Sequence, residues 1–255
     1  MGGTRGYDIF PRTFKARVLL ALAFLGGIAT IGGYFAAFFS MASEGFFQVP
    51  PCSGSERSAC LEEQTELLPD SQASCAGSGP RVCFVPLGQV DPDLVRDLAE
   101  YYRDEYGLEI GVLTPSAVPA ERIDAQRGQI EGVALAGYLK TLFPEDVADP
   151  DVTLIGLTPL DMFASAERSW RFALGCIYWS DRQSRAVVST YRMHLGSSGL
   201  VDAERVEERT RKLVTKYLGR LHYGIFPSNN PTSPMYDNIL SVSDLDRMRE
   251  PLAVP

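Results

Sequence analysis

The sequence predicts an α/β or α+β domain from Arg81 onward, carried behind one membrane-spanning helix and a polar stalk. Three observations carry that prediction. No charged residue occurs between Arg17 and Glu44, and the whole of Val18–Ser43 is dominated by Leu, Ala, Phe, Ile and Gly. From Glu44 to Pro80 apolar periodicity disappears, and Pro, Ser, Gly and acidic residues take its place. After that, short apolar runs alternate with stretches of helical spacing, the pattern of strands joined by helices.

Composition sets the limits. The chain has 255 residues, 45% of them hydrophobic and 22% charged, which excludes a wholly disordered or multi-span protein. A net charge of -8 argues against nucleic acid as a partner. There are only 2 histidines, His194 and His222, so no site that needs three can form.

Residues 1–17 carry Arg5, Arg12, Lys15 and Arg17 against Asp8, and read as a cytoplasmic segment. The span is placed at 18–42, since about 20 apolar residues cross a bilayer. A secretory signal has an apolar core of only about 7–15 residues, so the longer run reads as an uncleaved anchor, although Ser40 and Ala42 are small residues of the cleavage type. Positive charge before the span and acid after it leave the N-terminus inside the cytoplasmic membrane and the remainder outside. Ala29, Gly33 and Ala37 form a small-residue ladder of the kind that lets two spans pair as a homodimer, while such residues are also simply common in spans.

Residues 43–80 read as the stalk, with Pro50, Pro51, Pro69 and Pro80 and the acids Glu62, Glu63, Glu66 and Asp70. Outside the cytoplasm, Cys52, Cys60 and Cys75 are expected to form at least one disulfide among themselves or with Cys83. Cys176 lies in an apolar run and reads as a buried thiol.

The domain is assigned to 81–255. Arg81–Leu87 is a strand followed by a turn. Asp91-Pro92 opens a helix, with Asp as N-cap and Pro at the first position, and Gly107 closes it. Leu108–Leu113 reads as a strand and Gln129–Phe143 as a helix, on the stripe Ile130, Val133, Ala134, Gly137, Tyr138 and Leu142. Val152–Leu157 is a continuous apolar run, hence a buried strand. Arg171–Ile177 and Ala186–Tyr191 read as two more strands. Asp202 caps a long helix that runs to about His222, with Val206, Leu213, Val214, Tyr217, Leu218 and Leu221 on its apolar side. Ile225–Pro255 reads mostly as loop.

The order of these segments resembles the archaemetzincins, single-domain metzincin metalloproteases. The matching fragments are Val85-Pro86-Leu87-Gly88, Asp124-Ala125-Gln126-Arg127-Gly128-Gln129, Gly156-Leu157-Thr158, Asp161-Met162-Phe163 and Phe172-Ala173-Leu174-Gly175. Val187–Arg192 resembles the family's edge strand, and Glu204-Arg205-Val206 the start of its active-site helix. The resemblance spans residues 82–248 and implies a metzincin-like mixed sheet with packed helices.

It also implies where the chemistry departs. The family carries HExxHxxGxxH, then paired cysteines and a methionine turn. With Leu218-Gly219 and Met235 setting the register, the first histidine becomes Lys216, the catalytic glutamate Tyr217, the second histidine Arg220, the glycine Tyr223 and the third histidine Phe226. The cysteine positions fall near Pro227 and Thr232, and the methionine turn survives as Ser233-Pro234-Met235-Tyr236. Two cations on the ligand face offer no lone pair to a metal. A tyrosine with an ordinary pKa of about 10 is a poor base for water. Neither a catalytic residue, a metal nor a cofactor is expected. His222 projects to another side of the helix, and no spacing makes Asp237, Asp244 or Asp246 a ligand set.

The sequence therefore points to a membrane-anchored pseudoprotease that binds a peptide or protein, in a cleft where Lys216 and Arg220 suit an acidic partner. Alternatively the cleft is closed and the two cations pair with Glu207, Glu208 or Asp237. An active hydrolase with a non-standard metal site is the opposing reading.

Overall fold

The computed structural model describes residues 74–77, 79, 81–165, 171–180, 185–196 and 199–254. The chain divides into Met1–Ser53 and Gly54–Pro255, and every described residue belongs to the second unit. The expected span at 18–42, and Cys52 and Cys60, lie outside the described residues. Among those described, no helix is long and apolar enough to cross a membrane.

The main sheet is built around β1 (Val82–Pro86), which pairs in parallel with β2 (Ile110–Val112) on one side and β5 (Thr153–Thr158) on the other. β5 continues in parallel to β8 (Arg185–Ser189), and β7 (Gly175–Tyr178) closes the row antiparallel to β8, giving the order β2-β1-β5-β8-β7. β1, β5 and β8 are buried at every position, as strands covered on both faces must be. Their alternate side chains feed two cores. Val82, Phe84, Ile155, Leu157 and Val188 meet α1 (Pro92–Tyr106) and α4 (Ala203–Leu221). Cys83, Val85, Leu154 and Val187 meet α2 (Gly132–Leu142) on the opposite face.

The long helices start and stop as their sequences dictate. The Asp91 side chain accepts from the Asp93 N–H, Pro92 opens α1, and Gly107 ends it at φ 64°, a left-handed conformation favourable to glycine. Asp202 accepts from the Arg205 N–H at the head of α4, and His222 closes its last turn.

Several expected elements are corrected. The helix expected over Gln129–Phe143 begins only at Gly132. Asp124 Oδ1 accepts from the N–H groups of Gln126 and Arg127 and bends the chain back, so that β4 (Gln129–Glu131) pairs with β3 (Ile123–Asp124) and with β6 (Met162–Phe163). The Glu131 carboxylate then caps α2 at the Ala134 N–H. The strand expected at Arg171–Ile177 starts at Gly175, because Ala173 is bridged to Met162 in the smaller sheet. The expected strand at 186–191 stops at Ser189, and Tyr191–His194 forms a 3-10 turn. The segment likened to an edge strand is therefore internal: β8 lies between β5 and β7, and β7 is the edge.

At the near end of the expected stalk, Cys75 and Cys83 form a disulfide. Asp146, in the short helix α3 (Pro144–Ala148), accepts from the Ala76 N–H and the Ser74 hydroxyl at 2.9 Å each, tying this segment to the sheet. At the other end, the expected loop holds α5 (Val242–Arg247), opened by a capping box between Ser241 and Asp244.

Candidate functional site

The site is built on the C-terminal half of α4. Most of Arg209–Gly219 is buried, charged side chains included, because this helix runs beneath the sheet and under the C-terminal segments. Burying a cation without a partner is costly, and each one here is met. Arg209 pairs with Asp246 and Lys212 with Glu208. One turn apart, Lys216 and Arg220 meet the same carboxylate. Lys216 Nζ donates to the Asp237 carbonyl at 3.2 Å and lies 3.4 Å from its Oδ1; Arg220 lies 3.6 Å from that same oxygen. Glu207 and Glu208, the other acids considered, are taken by Arg211, Arg205 and Lys212.

Lys216, Arg220 and Asp237 line an open cavity of about 830 Å³ beneath β7. Its walls are largely apolar, with Leu174, Ile177, Leu213, Ile239 and Leu240 among them. The Arg220 guanidinium lies 4.8 Å from the centre of the Trp179 ring, over its face. Burial holds the Lys216 ammonium below the usual lysine range, opposed by the attraction of Asp237. Burial raises Tyr217 well above the usual phenol range and pushes the Cys176 thiol up to about 12, so neither ionises readily.

The residues singled out in sequence are only partly brought together. Lys216, Tyr217 and Arg220 share the cavity. Met235 is buried behind α4, where a methyl group added to Gly219 would come within 3.0 Å of its Cε, and it supports the helix from below. The chain turns around it: the Ser228 N–H donates to the Met235 carbonyl, and the Tyr236 N–H to that of Ser233. Phe226 is corrected out of the site, being 87% exposed and absent from the cavity wall. His222 stands edge-on to the Tyr223 ring, also outside the wall. Asp244 caps α5, and Asp246 holds Arg209. Trp179 and Arg171 belong to the cavity without having been singled out, and Gly175 was named only within a matching fragment; they reach it from an edge strand and its flanks, and no local spacing marks them.

The donor set does not fit zinc. Where a metal site needs imidazoles, carboxylates or thiolates, the cavity wall offers an ammonium, a phenol and a guanidinium, with Asp237 already paired to two cations and the Cys176 thiol held protonated by burial. Among the described residues no group of three His, Cys, Asp or Glu side chains converges.

No protein-family model matches the chain. It is 29% identical over 143 residues to the archaemetzincin of Halobacterium salinarum, covering 54% of this chain and 76% of that protein. In structure it is similar to the crystal structure of archaemetzincin from Methanopyrus kandleri, with a TM-score of 0.52 and 26% identity over 68% of this chain and 88% of that one. The chain is an archaemetzincin relative. A zinc-dependent peptidase from Methanocorpusculum labreanum shares the fold, with a TM-score of 0.54 at 17% identity, covering 68% of this chain and 95% of that one. Lys216, Tyr217 and Arg220, which the sequence resemblance singled out, all lie on the wall of the cavity.

Proposed function

We propose that this chain is a membrane-anchored archaemetzincin-like pseudoprotease, a module that holds a peptide or protein segment outside the cytoplasmic membrane without cutting it. The observation that carries the reading is the ionic cluster of Lys216, Asp237 and Arg220. Metal-assisted hydrolysis needs a Lewis acid and a base for its bound water. At the matching positions stand two cations held by one carboxylate, and a phenol that burial keeps protonated. What persists is a helix under an open, largely apolar cavity, which suits capture. Anchoring rests on the uncharged run at 18–42 and its positive flank.

The test is the metal content of the purified full chain together with cleavage of a fluorogenic peptide library. Zinc well below one per chain and no cleavage are expected. One tightly held zinc per chain, with cleavage abolished by a chelator, overturns the reading.

A further inference from the structure

We infer that the cavity recognises the free carboxyl terminus of a peptide ending in an apolar residue, with Lys216 and Arg220 holding the carboxylate. This rests on the non-catalytic reading above and names what the same cavity takes.

The first argument is charge. Among the described residues, three cations line the cavity, Arg171, Lys216 and Arg220, against one carboxylate, Asp237. The Asp237 side chain is 47% exposed and divided between two partners at 3.4 and 3.6 Å, both longer than a good charge-assisted hydrogen bond. The Lys216 side chain is only 7% exposed, and among the described residues its hydrogen bond and its ion pair both go to Asp237. An ammonium has three donors and a guanidinium five. A second carboxylate beside Asp237 would use the donors left over and neutralise an excess positive charge that is costly in an apolar enclosure.

The second argument is shape. The cations sit at one part of a cavity whose other walls are Leu174, Ile177, Leu213, Ile239 and Leu240. An acidic side chain within a polar peptide would fill the charged part alone. A terminal apolar residue presents its carboxylate and its side chain from the same Cα, and so matches both. Trp179 fixes the Arg220 guanidinium, leaving its edge for a planar anion, the geometry for which arginine is suited. A chain terminus is favoured over a free fatty acid because about 830 Å³ accommodates more than one residue.

The experiment is isothermal titration calorimetry of the full chain with acetyl-Ala-Ala-Phe-Leu as the free acid, as its C-terminal amide, and with decanoate. The acid is expected to bind at least ten times more tightly than the amide and more tightly than decanoate. Two variants, Lys216→Met, which keeps the buried stem, and the more exposed Arg220→Gln, should each bring the acid-to-amide ratio towards one; circular dichroism reports that they remain folded. Equal binding of acid and amide, no binding of either, or decanoate binding as tightly as the acid overturns the inference. So does a ratio unchanged in folded variants. Mass spectrometry of the recovered peptide keeps the two readings apart: an intact amide bound as well as the acid defeats only the carboxylate, whereas chelator-sensitive cleavage defeats the non-catalytic reading.

Discussion

Gly175 allows Tyr217 to lie against the edge strand. A methyl group at that position would come within 2.7 Å of the Tyr217 Cε2 and 2.9 Å of its Cζ, so the ring would have to leave. Gly175→Ala is expected to cost about 1–3 kcal/mol in chemical denaturation. In a Tyr217→Leu background the same change should cost measurably less, since the colliding ring is gone. Lys216 yields a second prediction. Burial lowers its folded pKa, so at a pH below that value the unfolded chain accepts the proton more easily and the residue opposes folding. As pH rises from there toward the ordinary value of 10.5, the opposition is relieved. The stability of the parent chain minus that of Lys216→Met should therefore rise with pH across this window, and a flat difference would contradict the burial argument. At this scale the sequence was readable where residues share a helix: Lys216, Tyr217 and Arg220 were singled out through one register and share one cavity. Trp179 was not, and Gly175 was named only within a matching fragment, because both meet α4 across some forty intervening residues. Phe226 was misplaced because it lies beyond the end of α4, where helical spacing ceases to predict direction.

At the scale of elements, α5 and the segment after it are fastened to α4 by ion pairs. The Arg209 side chain is 4% exposed and bonds the Asp246 carboxylate in bidentate fashion, at 2.7 Å to each oxygen. Arg211 similarly holds Glu250. Asp246→Ala leaves a buried guanidinium without its counter-charge and is expected to lose about 3–5 kcal/mol. Hydrogen exchange should locate the loosening in Val242–Arg247. The Arg209 hydrogen bonds hold the Asp246 pKa below the usual 3.8, so its contribution is complete above that value and lost as pH falls through the lower, folded one. An acid titration in which the parent and Asp246→Ala lose stability in parallel below pH 3.8 would contradict this. The long helices were legible because their caps and apolar stripes agree. The β3-β4 hairpin was not, since Ile130 fits a helical stripe and a buried strand equally, and the turn at Asp124 decides between them. The capping box at Ser241 and Asp244 was a readable signal for α5, obscured by the polar residues around it.

At the scale of the molecule, the alternation of strands and helices made the mixed sheet foreseeable, while the placement of β7 rather than β8 at its edge depends on pairing between distant segments. The proposed topology predicts that Ser71→Cys, in a chain whose other cysteines are left as they are, is labelled by an impermeant maleimide on intact cells. Labelling only after lysis would reverse the orientation. A final consequence lies in how α4 is tied to the segment after the methionine turn. Where a bound ion joins two parts of a protein, the strength of the joint varies with the concentration of that ion by mass action. Here the joint is Asp237 against Lys216 and Arg220, all three supplied by the chain itself. All its members belong to the chain, so the joint answers to pH, through Lys216, rather than to the supply of a linking ion.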